Sequence, residues 1–262
     1  MSADAPTPSP NPSSTRLGAL SVAITRSYYR DKVTLFFTFA FPLIFLVVFG
    51  VLFRDQTVGG RGFIATTAAG VLSWAVATSA LFGVAYTLMH WRSTEVLRVI
   101  RMTPTRLPTV MGSRFLVAVG VALVQAVFFV GVAMLPVFGL RLDGRAVLAL
   151  PTILAGVTAF FALGLLVSVV ASSSEAIAAI ANCVMTPMAF LSGTFYPISL
   201  SPRWIQDVSW ALPLRYLVNG TAGPVGGTGG ITTVLVSCAA LLGFTALFAG
   251  LAARYFRWSR EA

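Results

Sequence analysis

Six long stretches of this chain carry no Lys, Arg, Asp or Glu and are predominantly apolar: 33–53, 63–89, 115–138, 148–171, 176–195 and 231–253. A helix needs about 20 such residues to cross the ~30 Å hydrocarbon core of a bilayer. Lipid offers the backbone no hydrogen-bond partner, so stretches of this length read as helices. The ten-residue alternation of a membrane barrel strand is absent. The pattern predicts an all-α integral membrane protein with six transmembrane helices.

The polar positions refine that picture. Residues 1–14 (MSADAPTPSPNPSS) are rich in Pro and Ser, and read as a disordered tail. From Thr15 to Lys32, apolar Leu17, Leu20, Val22, Ile24 and Tyr28 alternate with Arg16, Arg26, Arg30 and Lys32, which predicts an amphipathic helix lying at the membrane interface, with an ordinary basic flank of the first span as the other reading. With the N-terminus inside, the cytoplasmic segments hold twelve of the bases and the outer loops six. That bias favours both termini in the cytoplasm, and the expected location is the plasma (inner) membrane.

Composition narrows the function. The chain has 262 residues, 57% of them hydrophobic and 10% charged, against roughly a quarter charged in a soluble domain. A soluble enzyme is excluded. The net charge of +10 comes from arginines between the apolar runs. This is membrane topology and not a nucleic-acid face. Lys32 is the sole lysine, and its neighbours do not form G-x-x-x-x-G-K-[ST], so the chain has no phosphate-binding loop for ATP. All eight acids lie outside the six runs, whereas proton- or ion-driven transporters usually carry an intramembrane carboxylate. His90 is the single histidine, and no H-E-x-x-H motif exists. Cys183 and Cys238 lie in apolar runs, offer no metal spacing and read as small buried residues. No catalytic or metal-binding residue is expected.

Two connections are long enough to do work. In residues 90–114, Val96, Val99 and Ile100 have helical spacing while Glu95, Arg98 and Arg101 share another face. Thr103-Pro104 ends that short helix, because the residue before proline avoids the α region. Its basic face suits a docking knob for a cytoplasmic partner, or a solvated loop that enforces topology. In residues 196–230, Ser201 is the expected N-cap of a helix through Trp204, Ile205, Val208, Trp210 and Leu212. Pro213 should stop it, Leu214 to Val218 should resume, and 220–230 should form a flexible turn. This hairpin would anchor at the outer interface or form a lid over an exit path.

Within the spans, Thr66, Gly70, Ser73, Ala77, Ala80, Val84 and Thr87 form a small face. Close helix packing is its expected use, with lining a cavity as the other. Phe37, Phe41, Phe45 and Phe49 recur every four residues as lipid-facing or packed bulk. Gln125 and Asn182 are the strongest polar groups at depth, and each is expected to bond a neighbouring helix, with substrate contact as the secondary reading for either.

Two motifs carry a family resemblance. Arg101-Met102-Thr103-Pro104 is similar to the E-x-L-R-x-T-P stretch between spans two and three of ABC-2 type permeases. Phe190-Leu191-Ser192-Gly193-Thr194-Phe195-Tyr196-Pro197, followed by Leu212-Pro213-Leu214-Arg215-Tyr216, resembles their F-x-S-G-x-x-x-P and later L-P motif. The order of interface helix, six spans, cytoplasmic helix and external hairpin also fits, so that the resemblance covers about residues 15–258 and implies an ABC-2 transmembrane domain of the type V exporter kind over residues 15–262. The resemblance is to the daunorubicin-resistance-like branch of drug and lipid exporters. One departure is visible: that family often has an acid six residues before the proline, where this chain has Arg98, with Glu95 three residues earlier.

The resemblance implies a non-catalytic permease that pairs with a second copy or a paralogue and with two ABC ATPase subunits, which would hold the ATP and Mg. Glu95, Arg98, Arg101, Thr103 and Pro104 would meet the ATPase. Ser192, Gly193, Tyr196, Pro197, Pro213 and Tyr216 would form the exit, and Thr66, Ser73 and Asn182 would face the path of an amphiphilic drug or lipid. The alternative is a self-contained secondary transporter or channel.

Overall fold

The computed structural model describes residues 31–53, 57–58, 61–93, 107–140, 144–226 and 230–255. The expected tail 1–14, the interface helix up to residue 30, and the coupling residues Glu95, Arg98, Arg101, Thr103 and Pro104 lie outside the described residues. Six helices are long and apolar enough to cross a membrane. They are α1 (Lys32–Leu52), α2 (Phe63–Ser93), α3 (Leu107–Ala133), α4 (Ala149–Val170), α5 (Ser174–Leu191) and α8 (Ile231–Tyr255). Two shorter helices, α6 (Arg203–Ser209) and α7 (Pro213–Val225), fill the long connection between α5 and α8. Among the described residues the regular structure is helical, apart from a two-residue antiparallel ladder of Thr57–Val58 with Arg61–Gly62 between α1 and α2.

Helix ends depart from the apolar runs for local reasons. The run 115–138 predicts a helix to residue 138, but α3 ends at Ala133 and the chain turns back, with Leu140 N–H on the Ala133 carbonyl. Gly139 takes φ +66°, which only glycine adopts at little cost. At its other end α3 begins at Leu107, which draws Arg114 into the helix. The run 176–195 predicts a helix to residue 195, but α5 stops at Leu191 because Gly193 (φ +76°) takes the left-handed conformation that ends helices. Ser173 caps the start of α5 through the Ala176 amide, with Glu175 in its first turn at the favourable end of the dipole.

In α1, residues 36–40 form a π turn just ahead of Pro42. Proline has no N–H, so Pro42 cannot donate to the Thr38 carbonyl four residues back. Gln125 of α3 donates to that carbonyl instead, at 3.0 Å. It also donates to Ala75 of α2 (3.2 Å) and accepts from Ser79 (3.1 Å), tying three helices at a fully buried point.

The core centres on α2 and α4. Val71, Leu72, Val76, Leu81, Val157 and Phe160 are enclosed by protein, whereas α1, α3, α5 and α8 leave broad apolar faces uncovered. In a soluble protein such faces would be a liability; against lipid they are the expected surface.

Candidate functional site

The segment between α5 and α8 is a hairpin folded back into the bundle. Pro213 occupies the first turn of α7, where a missing N–H costs nothing, so it starts a helix and does not stop one. The stretch predicted as a flexible turn is helical through Val225. The α7 helix packs against α2, α4 and α8. Leu214, Leu217, Val218, Gly220, Thr221 and Pro224 are buried. It is therefore an internal element and not a surface anchor, while α6, with exposed Trp204 and Val208, keeps the interfacial character expected of the hairpin. Ser201 does not cap α6: Pro202 is the N-cap residue, and the Ser201 hydroxyl has no partner.

Small residues permit that burial. A Cβ on Gly220 would strike Thr152 of α4 and Ser237 of α8, and one on Gly156 would strike Leu217. Backbones that approach this closely gain dispersion contacts, the chief adhesive between helices in lipid. At the α2 contact, Ser73 Oγ lies 2.7 Å from Thr221 Oγ1, and Thr221 also donates to the Leu217 carbonyl. Ser73 is 1% exposed, so this side chain seals a helix contact in place of lining open space. Thr66 is half-buried on the same helix. Asn182, expected to bond a neighbour, donates to its own helix at Ala178 (2.9 Å) and faces outward from α5. Cys183 beside it is exposed, against the expectation of burial.

The motif that follows α5 wedges between α1, α2 and α7. A Cβ on Gly70 of α2 would run into the Thr194 carbonyl oxygen. Phe195 is the hub of an aromatic cluster: its ring stacks on Phe45 (5.2 Å between centroids) and Phe49 (5.7 Å), and meets Trp74 edge-on at 5.5 Å. The every-fourth-residue phenylalanines of α1 are thus largely a receptor for this loop, while Phe37 remains exposed. Tyr196 donates its hydroxyl hydrogen to the Phe190 carbonyl (2.8 Å), and Tyr216 does the same to Trp210 (2.9 Å). Each phenol staples a chain reversal to the helix beside it. Ser192, Gly193, Pro197 and Pro213 are buried, so the residues of the expected exit form one packed unit.

At the far end of α2 and near the start of α3, Arg114 donates through Nε (3.1 Å) and Nη2 (2.7 Å) to the Gly83 carbonyl. Its guanidinium fork ties together the two helices that flank the connection 94–106. Sequence reasoning counted Arg114 as a topological base and missed this role. It also missed Thr221 and Trp74, whose partners Ser73 and Phe195 are distant in the chain, and Arg215, whose guanidinium lies over the nearby Trp210 ring. Among the described residues, no group of three His, Cys, Asp or Glu could hold a metal ion.

The deciding comparison is with protein families: residues 15–224 match the model of the ABC-2 type transporter. The chain belongs to the ABC-2 type transporter family. ABC-2 membrane proteins are permeases, not catalysts in themselves, and typically work with ABC ATPase partners. The chain is accordingly a multi-pass membrane protein with an ABC-2 membrane domain. No curated protein matches it.

Proposed function

We propose that the chain is the membrane-spanning subunit of an ATP-driven exporter of amphiphilic drugs or lipids, of the daunorubicin-resistance-like branch. The ABC-2 match over residues 15–224 carries this reading. It is supported by a sequence without a P-loop, which requires a separate motor, and without carboxylates in the apolar runs, which disfavours proton coupling.

In this proposal Glu95, Arg98 and Arg101 meet the ATPase, and Thr103-Pro104 closes the docking helix. Movement of that segment reaches α2 and α3 together, because Arg114 joins them. The bundle then switches as a rigid body. A second copy or a paralogue sits against the α5 face that carries Asn182, and cargo passes along this seam and leaves past Ser192, Gly193, Tyr196, Pro197, Pro213 and Tyr216. Both termini are cytoplasmic, in the inner membrane.

The test is the triple variant Glu95→Ala, Arg98→Ala, Arg101→Ala, reconstituted with its ATPase. Insertion should be intact while ATP hydrolysis no longer drives transport. Undiminished coupling would refute the docking role. Uphill movement by the chain alone under a proton gradient would replace the whole reading with a secondary transporter.

A further inference from the structure

The buried side-chain nitrogens and oxygens without a hydrogen-bond partner, among the described residues, are Trp74 Nε1, Ser192 Oγ, Thr194 Oγ1, Ser201 Oγ and Arg215 Nε. All five lie in the loop after α5 or on residues packed against it. The Trp74 ring is 5.5 Å from Phe195, and Arg215 Nη1 is 3.5 Å from where a Cβ on Gly193 would stand. Every one of the five groups carries a donor hydrogen. Indole and guanidinium can only donate, so their partner must bring acceptor atoms. Buried polar groups in folded proteins are normally paired, and a cluster of unpaired ones calls for an ion, water or ligand.

The charge of this cluster is positive. Arg215 is half-buried, with its guanidinium over the Trp210 ring at 5.2 Å. Burial pushes its pKa below the usual arginine value, yet a guanidinium stays protonated in proteins. Arg215 is in the first turn of a 13-residue helix, whose dipole adds positive potential there. Ser192 is the C-cap of α5 and gives its N–H to the Met188 carbonyl, so its hydroxyl is the donor it has left to offer. Ser192 and Thr194 are both fully buried and flank the glycine beside which the Arg215 guanidinium lies.

We propose that Arg215, with the hydroxyls of Ser192 and Thr194 around Gly193, forms a binding site for an oxyanion of the phosphate class. A lipid phosphate headgroup and free phosphate present the same chemistry to it. Half-exposed Arg215 is the point of entry, and its planar fork matches two phosphate oxygens. The inference deepens the exit reading of Ser192 and Gly193. Its test uses the chain without an ATPase, so the two can fail separately.

The full chain is placed in dodecyl maltoside micelles, which carry no phosphate, and the fluorescence of Trp210 is followed, with Trp210→Phe assigning the response. Inorganic phosphate is titrated in one arm, and the phosphatidylglycerol fraction is raised in the other. We expect a saturable response in at least one arm: a phosphate response identifies the free ion, and a response to phosphatidylglycerol alone identifies the lipid. Arg215→Gln should weaken binding ~10-fold or more, because a charge-assisted bidentate contact is lost. The Ser192→Ala/Thr194→Val double variant removes no charge and relieves two unpaired hydroxyls. It should bind several-fold more weakly while melting no lower than the parent. A flat response in both arms, or an Arg215→Gln variant that binds like the parent, overturns the proposal. Should Arg215→Gln fail to fold, undiminished binding by the double variant overturns it equally.

Discussion

Gln125 shows how much one side chain can hold in a bundle of this kind. Its amide serves the Thr38 carbonyl that Pro42 cannot, and it reaches α2 as well. An interhelical hydrogen bond in a membrane protein contributes about 0.6 kcal/mol on average and up to ~1.7 kcal/mol. Gln125→Leu, which removes three such bonds at roughly constant volume, should therefore destabilise the bundle by about 1–3 kcal/mol, read by unfolding in mixed micelles. Asp31 acts on a smaller scale. Its carboxylate accepts from the Val33 and Thr34 amides (3.1 Å each) and the Thr34 hydroxyl, capping α1. The Thr34 hydroxyl first, then its amide, hold the Asp31 pKa below the usual carboxylate value. A folded-state pKa below the unfolded one means that the cap's contribution is present above the unfolded pKa and lost as pH falls through the folded value. Asp31→Ala should cost about 1 kcal/mol or less at this exposed end, and Asp31→Asn should keep the cap while abolishing its acid sensitivity. Hydrogen exchange at Val33 and Thr34, at neutral and acid pH, measures both.

Among elements, the decisive contacts are those where a helix backbone meets another chain segment directly. Gly70 on α2 receives the Thr194 carbonyl. Gly70→Val forces the whole loop 192–197 away, because the obstacle is backbone and cannot rotate aside. The cost should be about 1–3 kcal/mol, the range for overpacking, and the Trp74 emission should shift as Phe195 leaves its cluster. The Arg114 staple makes the opposite prediction about location. Arg114→Leu should lower stability by about 1.5–3 kcal/mol, as expected for a hydrogen bond to a charged group. It should also loosen α2 from α3, so that transport per ATP falls although the residues proposed to dock the ATPase are untouched. A transport-to-hydrolysis ratio equal to the parent's would show that the two helices move independently. The small face of α2 was visible as a row of small residues, and its packing use followed from composition. Of its partner, α7, the sequence shows the start, Leu214 to Val218, but neither its extension to Val225 nor its burial, because its glycines and prolines at 220–226 match a loop by local propensity. Burial against three helices overrides that propensity.

At the scale of the molecule, α2 and α4 are enclosed while α1, α3, α5 and α8 present apolar faces outward. Any path formed with a second copy must use an outward face. The α5 face is distinguished by polar Asn182 and by Cys183 among apolar neighbours. With Cys238 replaced by serine, mild oxidation of the reconstituted chain should give a covalent dimer through Cys183 on a non-reducing gel. A transport-competent preparation that yields no dimer would move the seam to another face.

The six spans, their order and the absence of a nucleotide loop could be read from the chain, because a bilayer imposes its thickness on every crossing segment one residue after another, without reference to any other segment. The motif Phe190–Pro197 could be read as a motif, but not the stop inside it: the apolar run continues to residue 195, and the left-handed turn at Gly193 is seen only in the folded chain. What the loop touches could not. Phe195 finding Phe45 and Trp74, Ser73 finding Thr221, Gln125 finding Thr38, and Arg215 reaching Gly193 all join residues far apart in the chain or on separate elements. Only the packing of helices against one another brings such pairs within contact range, and that packing decided which polar residues became seams and which were left with donors unmatched.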